Sequence, residues 1–370
     1  MGIDHNKWQV IYSTLLIISC ILNFYYTPEI ICVLDKYCDN SVSTLIKGMF
    51  VRIVAITGFF SRVVLLFKGK INLVKYKENM DAFHAFTPMT SSDIDGLNRF
   101  SCRVILCCIL LTVPVNFARL WILWDLIQNT VVFVALSYIQ NFSMYCIETH
   151  FIVLCFILYQ KFAGINKDLL TLKINTVMRN KYPFMSKTGE KYLKNKSTIY
   201  CNKEIEYSLA AGYPMSDIIE NLKIKHKLCC EAIIYLNNLF GIQLGLSLCA
   251  LCLYTMFDLY YHLVGILDHS NSNNLIYGWI LQYSVRFATV TVFPHATTKQ
   301  ALKSKMLLTD INNRYLDNAT KEELQMFLNQ ISSCTIKFTA CDFFTLNNHM
   351  ITSAIAAGTT YLIILLQFNT

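Results

Sequence analysis

A few polar and ionisable side chains interrupt long apolar stretches of this 370-residue chain. Glu148, Arg286 and Gln367 each stand inside such a stretch. A polar group at membrane depth is costly unless it faces water or a partner, so these residues indicate ligand binding, ion passage or ion pairing. The sequence has no GxSxG, HExxH or P-loop pattern, and no Cys or His spacing that resembles a zinc site. We therefore expect no enzyme activity, no catalytic residue, no metal site and no cofactor.

The composition predicts that these stretches lie in a membrane. Hydrophobic residues make up 54% of the chain and charged residues only 15%, whereas an ordinary soluble domain carries roughly a quarter charged residues. The net charge of +8 does not by itself indicate a nucleic-acid partner, because in a membrane protein the distribution of basic residues matters more than their sum. We expect no nucleic acid to bind, and membrane lipid to surround the chain.

Seven apolar runs reach the roughly 20 residues that a membrane-spanning helix needs. They are Trp8–Tyr26, Thr44–Phe67, Cys102–Trp124, Thr130–Tyr159, Ala232–Tyr260, Leu275–Phe293 and Leu346–Phe368. Most Lys and Arg residues follow spans two, four and six, and basic loops stay in the cytoplasm. The sequence therefore predicts an all-α, multi-pass protein of the plasma membrane with seven transmembrane helices. Its N-terminus would lie inside the cell and its C-terminus outside.

Three regions are predicted along the chain. Residues 1–294 hold the first six spans, with a ligand pocket in their outer half and cytoplasmic loops. Residues 295–345 form a cytoplasmic helical region before the last span, and residues 346–370 hold the seventh helix.

The cytoplasmic region carries the sequence pattern of an amphipathic helix. Thr320 and Glu323 form a capping-box pattern, followed by apolar residues at helical spacing, namely Leu324, Phe327, Leu328 and Ile331. We expect this helix to need a partner surface, which packing against its own copies would supply.

The outer halves of spans three to six carry aromatic side chains with a few polar ones among them. These candidate ligand-binding residues are Trp121, Trp124, Tyr138, Asn141, Tyr254, Phe257, Trp279, Gln282 and Tyr283. Aromatic walls with a few polar groups are typical of a small-molecule site. An aromatic belt at the membrane interface is the alternative reading, and the sequence leaves both open.

Three ionisable residues lie within the predicted spans. Glu148 in span four and Arg286 in span six are interpreted as a structural ion pair, with a functional role as the alternative. Arg62 lies near the inner end of span two, and we expect it to reach the cytoplasmic headgroups. Cys32 and Cys38 fall in the first outer loop, where the sequence leaves a disulfide open.

The end of the chain resembles the seventh-span signature of the insect gustatory receptor family. Thr360-Tyr361, five apolar residues and then Gln367-Phe368 match that signature. The segment 338–347 is similar to the one that opens this span in the family. On these residues the sequence is identified as a member of that family.

Other segments extend the resemblance along the chain. Residues 158–166 look like the family's exit from span four, and Asn237, Phe240 and Gly241 fit its fifth span. Asp342 stands where the family commonly has Gly, so the start of span seven is expected to differ locally.

The resemblance implies a tetrameric, ligand-gated, non-selective cation channel whose pore is lined by span seven. Thr360, Ile363, Ile364 and Gln367 share one helix face. On the pore interpretation, four copies of Gln367 ring the conduit and Ile363 or Ile364 form a hydrophobic gate. Phe368 would help to seal the closed state. The alternative for Gln367 is a position at the level of the lipid headgroups.

The implied partners are a small-molecule tastant, permeating cations, and either identical subunits in a homotetramer or related receptors in a heteromer. The implied location is the dendrite of a chemosensory neuron. The sugar-receptor branch commonly carries Glu directly after Thr-Tyr, whereas this chain has Leu362, which favours a bitter or deterrent ligand. Two alternatives remain: a G-protein-coupled-type chemoreceptor, which predicts a cytoplasmic C-terminus, and an odorant-receptor-like channel subunit, which shares the topology.

Overall fold

The computed structural model describes residues 7–35, 42–124, 128–181, 214–267, 275–311, 316–334 and 336–367. Within these ranges the chain forms eight helices and one short hairpin. In chain order they are α1 (Lys7–Asp35), α2 (Val42–Phe86), α3 (Ser91–Trp124), α4 (Gln128–Lys181), α5 (Met215–Leu267), α6 (Leu275–Thr309), α7 (Asn318–Ser333), β1 (Thr339–Ala340), β2 (Phe344–Thr345) and α8 (Asn348–Gln367).

Each predicted span falls in a helix of its own, spans one to six in α1 to α6 and span seven in α8. Among the described residues, α1, α3, α4, α5 and α8 are long and apolar enough to cross a membrane. The other two, α2 and α6, carry charged or polar side chains within their apolar parts, such as Arg62 and Arg286. The predicted all-α membrane fold is confirmed.

Four helices are much longer than the predicted spans. The 53 residues of α5 extend about 80 Å at 1.5 Å per residue, whereas the hydrocarbon core of a bilayer is about 30 Å thick. The extra turns of α2, α4, α5 and α6 all lie at the end that the basic loops place in the cytoplasm. The apolar runs stop at the membrane, but the helices continue because each keeps one buried stripe, such as Leu169 and Leu172 in α4.

Polar contacts also join these cytoplasmic extensions. Ser304 of α6 donates to Asn166 Oδ1 of α4 (2.7 Å), and Asn166 Nδ2 donates to the Gln300 carbonyl (2.8 Å). On the α2 side, Lys161 Nζ lies 3.4 Å from His84 Nδ1. Burial, and after it the positive charge of Lys161, lowers the pKa of His84. The four extensions therefore pack into one bundle.

The region 295–345 differs from the single helical region predicted for it. Helix α6 passes through Pro294 and continues from the membrane to Thr309. A separate helix, α7, begins after Asp317, whose side chain accepts the Thr320 N–H (3.2 Å). The predicted capping box was therefore wrong by three residues, because Asp317 takes the cap. Glu323 pairs instead with Lys223 of α5 (2.6 Å).

The apolar face of α7 is covered by the same chain. Leu324, Phe327 and Ile331 are buried, and the Phe327 ring lies 5.5 Å from the His226 ring of α5. The predicted face is correct, but the expectation that it packs against other copies is wrong for these residues, since α5 and α6 already supply the surface.

A small hairpin connects α7 to α8 and rests on α5. Its strands pair antiparallel, Thr339 with Thr345 and Ala340 with Phe344. The Cys341 N–H donates to the Gly241 carbonyl of α5 (3.0 Å). Asn237 of α5 donates to the Lys337 carbonyl (2.7 Å).

The turn of this hairpin explains the departure at Asp342. Cys341 and Asp342 have φ values of 53° and 58°, in the left-handed region that glycine adopts at least cost. Asp342 is held there by a hydrogen bond from Thr339 Oγ1 (3.1 Å). The last span starts at Asn348 rather than at the predicted Leu346, because the Leu346 N–H is bonded to the Phe338 carbonyl across the hairpin (2.9 Å).

Candidate ligand site and pore helix

The core between α4, α5 and α6 contains a fully buried ion pair. Arg286 donates to Glu148 through Nε (2.8 Å) and through a terminal nitrogen (2.7 Å). Its other terminal nitrogen donates to Asn141 Oδ1 (2.7 Å), and Ser247 Oγ donates to Glu148. The guanidinium carbon lies 4.9 Å from the centre of the Tyr145 ring. The predicted structural pair is confirmed in its contacts, and every charge in it is balanced.

A cavity opens beside this pair, between α2, α4, α5 and α6. Its free space is about 10 Å³, room for about one water molecule, so a drug-sized ligand, which needs roughly 300–1,000 Å³, would have to displace the side chains that line it. Two of the predicted ligand residues, Asn141 and Tyr254, line it together with Arg286. The other lining residues are Val54, Thr57, Met144, Ser247, Ala250 and Leu251.

About two helical turns further outwards, α3 and α6 add further aromatic and polar groups. Trp279 Nε1 donates to Asn116 Oδ1 of α3 (3.2 Å), and the Arg119 guanidinium carbon lies 6.0 Å from the Trp279 ring centre. The rings of Tyr254 and Tyr283 are 5.5 Å apart. These contacts connect the cavity to the outer ends of the helices.

Gln282 and Asp258 leave polar atoms unused in this cluster. The Gln282 side chain is completely buried. Neither its Oε1 nor its Nε2 has a hydrogen-bond partner in the part of the chain that the structure describes, and the same holds for Asp258 Oδ2. Buried polar groups are normally satisfied, so these atoms are available to a bound molecule or water.

The structure separates the predicted ligand residues into two groups. Six of them, from α4, α5 and α6, lie in or beside the cluster: Tyr138, Asn141, Tyr254, Trp279, Gln282 and Tyr283. Trp121 and Trp124 are 68% and 60% exposed, as an aromatic belt would be, and the structure does not bring them to the site. Phe257 is half-buried and none of its ring contacts reaches the cluster.

Several residues of the site were not predicted. Thr57 and Ser247 line the cavity and Asn116 holds Trp279. Their only signal in the sequence is a polar residue inside an apolar run. Arg62 does not reach the headgroups as predicted, because its side chain is only 4% exposed and faces Cys20 of α1.

Helix α8 is unlike every other span. None of its residues is buried within the chain, and only its beginning packs against the core, through Met350, Ile351 and Ala354. The predicted pore and motif residues Thr360, Tyr361, Ile363, Ile364 and Gln367 are all exposed. Phe368 lies outside the described residues, as does Cys38 of the open disulfide prediction.

Comparisons with known proteins bear on the family. The profile of the 7tm chemosensory receptor family matches residues 5–370. The putative gustatory receptor 28b of Drosophila melanogaster is 24% identical over 255 residues, which are 66% of this chain and 50% of that protein. The gustatory receptor for sugar taste 43a of the same fly is 24% identical over 170 residues, 45% of this chain and 40% of that protein. The chain thus spans half or less of the curated relatives it matches.

Solved structures agree on the fold. The insect olfactory receptor OR5 from Machilis hrabei matches with a TM-score of 0.60 at 12% identity, over 98% of this chain and 90% of that chain. The same receptor in complex with eugenol matches with a TM-score of 0.63 at 11% identity, over the same shares of the two chains. The family expected from the last span is confirmed: the chain belongs to the 7tm chemosensory receptor family.

Proposed function

We propose that the chain is one subunit of a ligand-gated, non-selective cation channel in the plasma membrane, and that α8 lines the pore. The observation that carries this proposal is the exposure of α8, a 20-residue apolar helix with no buried residue. The chain buries between 17% and 61% of the apolar stretch of each of its other long spans and none of this one. Copies of the chain arranged around an axis would cover it, and closed rotational symmetry is the usual form of such assemblies.

The polar residues of α8 indicate that one face of this helix borders a water-filled pore and that the helix does not face lipid on every side. Gln367 and Thr360 are exposed on the face that also carries Ile363 and Ile364. An amide facing lipid is expensive, whereas an amide facing a water-filled pore is not. In the proposed tetramer a ring of isoleucines lies one helical turn from the ring of glutamines, on its cytoplasmic side. Such a ring is suited to act as a hydrophobic gate, which stops ions by excluding water. Four copies make the homotetramer, and related receptors could replace some of them.

The cluster that runs outwards from the Arg286–Glu148 pair is the proposed ligand site. The support for it is that Asn141 and Tyr254 line the cavity, that the Tyr283 ring lies 5.5 Å from the Tyr254 ring, and that Gln282 and Asp258 have unused polar atoms. The related fold of OR5 was solved in complex with eugenol, which supports a small molecule as the ligand. We propose a bitter or deterrent compound and expression in the dendrite of a chemosensory neuron. One matched relative is named for sugar taste, so sugars belong in any screen.

The topology distinguishes this proposal from a G-protein-coupled-type chemoreceptor. Epitope tags on the N-terminus and on the C-terminus are stained on intact cells and again after permeabilisation. We expect the C-terminal tag to be reached on intact cells and the N-terminal tag only after permeabilisation. A C-terminal tag that stays hidden until the cells are opened contradicts both the topology and the pore.

Function itself is tested by whole-cell currents from cells that express the chain alone. We expect a current that reverses near 0 mV when a ligand from a panel of bitter compounds and sugars is applied. An odorant-receptor-like subunit that needs a partner would reach the surface but give no current until that partner is added.

A further inference from the structure

Asp258 is an acidic side chain of the outer cluster with an unused oxygen. It lies on α5 one turn outwards from Tyr254, and its Oδ2 is buried without a hydrogen-bond partner in the described ranges. The hydroxyl groups of Tyr138 and Tyr283 lie within electrostatic range of it. A buried carboxylate oxygen with no donor is unusual, because desolvation is normally offset by hydrogen bonds or a cation.

The other acidic group of the cluster already has a partner. Glu148 and Arg286 neutralise each other, whereas Arg119 contacts the face of Trp279 (6.0 Å) and has no ion pair among the described residues. No ion pair to Asp258 occurs among the residues that the structure describes. Asp258 is therefore the group whose charge a ligand could still balance.

Aromatic rings lie near this carboxylate on α4, α5 and α6. Tyr254, one turn deeper on α5, packs against Tyr283 of α6 with ring centres 5.5 Å apart. Tyr138 of α4 lies within electrostatic range of Asp258, and Trp279 lies one turn outwards of Tyr283 on α6. Aromatic faces attract cations, most strongly where water is excluded. A carboxylate within such a set of rings suits a positively charged group more than it suits a neutral sugar.

We propose that the ligand of the outer site carries a protonated or quaternary ammonium group on an aromatic ring system, with Asp258 as its counter-ion. This inference rests on the proposed ligand site and adds the charge of the ligand. Gln282 would donate to, or accept from, a polar substituent deeper in the site. The rings of Tyr254, Tyr283 and Trp279 would hold the aromatic part.

The test compares cations with neutral molecules of the same shape. The probes are 1-methylquinolinium with 1-methylnaphthalene, and benzyltrimethylammonium with neopentylbenzene. Binding to the purified full chain in lipid nanodiscs is measured for wild type, for Asp258→Asn and for Trp121→Phe. Asp258→Asn keeps the shape of the side chain and removes its charge. Trp121→Phe is the matched control, because Trp121 is an outer-half aromatic that points away from the cluster.

We expect wild type to bind at least one cation more tightly than its neutral isostere. Asp258→Asn should weaken the binding of that cation by about 10- to 100-fold, because a charged contact is lost. Binding of the neutral isostere should stay within about twofold, which also shows that the variant is folded, and Trp121→Phe should change neither value.

Two results overturn the inference. In the first, cation and isostere bind equally and Asp258→Asn changes neither, which leaves the ligand site intact and removes only its preference for charge. In the second, no cation binds wild type below about 1 mM. If the neutral probes and every compound active in the current recordings also fail to bind, the proposed ligand site fails with it.

Discussion

Helices α5 and α8 are both apolar spans of the same chain, yet the chain buries most of one and none of the other. In the most apolar stretch of α5, 61% of the residues are buried, whereas none is buried in α8. Around α5 are packed α2, α4, α6, α7 and the hairpin. Beyond its first turns, no residue of α8 packs against the hydrophobic core of the described ranges. Helix α5 is therefore the structural centre of the subunit, whereas in the proposed pore α8 would be covered by other copies.

Breaking the buried ion pair beside α5 should have the largest effect. Arg286→Leu leaves the Glu148 carboxylate uncompensated, and such a loss costs about 3–5 kcal/mol. The double variant Glu148→Leu/Arg286→Leu should recover most of that loss, because no lone charge remains. Thermal unfolding of the detergent-solubilised chain, followed by size-exclusion chromatography, measures both.

The half-exposed pair Lys173–Asp310 (2.8 Å) is the matched control for the buried one. Lys173→Leu should cost less than about 1 kcal/mol, since water screens this pair. A buried-pair single variant that is no more harmful than this control would show that the pair does not hold the outer half together.

Trimming one apolar side chain in each helix tests the comparison directly. Leu248→Ala in α5 removes a buried side chain and should lower the free energy of unfolding of the subunit by about 1–3 kcal/mol. Only the loss of packing contributes to this cost. The transfer of the side chain from lipid to the core contributes little, because lipid tails are as apolar as the core. Ile355→Ala in α8 should leave the free energy of unfolding of the subunit unchanged within about 0.5 kcal/mol. It should instead lower the yield of tetramer in chemical cross-linking. Equal effects on subunit unfolding would remove the contrast between the two helices.

Adding a methyl group at a glycine of each helix is expected to have an effect of at most the same size. A Cβ at Gly245 would overlap Cys341 Sγ of the hairpin, whereas at Gly358 of α8 it meets nothing within 4 Å. Gly245→Ala should displace the hairpin at a cost of about 1–3 kcal/mol, and Cys341→Ala should relieve that cost. A stability assay of both single variants and the double variant measures the coupling.

Gly358→Ala is the control from the other helix. It should be neutral or stabilise the isolated subunit by up to about 1 kcal/mol, because alanine favours a helix. If Gly358→Ala destabilises the isolated subunit as much as Gly245→Ala does, α8 is covered by its own chain and the comparison is wrong.

The smallest effect is expected at the hairpin turn. Asp342→Gly relieves a left-handed conformation (φ 58°) and should stabilise the chain by about 0.5–1 kcal/mol. The lost hydrogen bond from Thr339 offsets part of that gain. Asp342→Ala, which keeps the unfavourable φ and loses the bond, should destabilise the chain. Thermal unfolding of the two variants should therefore shift in opposite directions.

The sequence predicted the spans well, because each is a long run of mostly apolar residues. It did not predict that Trp121 and Trp124 point away from the site. Helix α3 is apolar on nearly every side, so its pattern does not distinguish lipid from protein. The pairing of Glu148 with Arg286 was predictable, since a charge in apolar surroundings is strongly destabilising unless an opposite charge compensates it.

Other features depend on contacts between distant parts of the chain. The hairpin needs Asn237 and Gly241, which are about one hundred residues away from it in sequence, and no local pattern indicates them. Asp317 and Thr320 are three positions apart, and both residue types are good helix N-caps. In the structure Asp317 is the N-cap of α7. The cytoplasmic lengths of α4 and α5 were underestimated because hydropathy ends at the membrane surface, whereas a helix ends only where its packing ends.

The most direct test of the pore is a change of charge at Gln367. Single-channel currents are recorded from wild type, Gln367→Glu and Gln367→Lys, with Gln325→Lys of α7 as an exposed control outside the membrane. Four added negative charges in a conduit should raise cation conductance and cation-over-anion selectivity, and four positive charges should lower both, while ligand affinity and the control stay unchanged. Conductance and selectivity that remain those of wild type in both Gln367 variants would contradict a pore lined by α8.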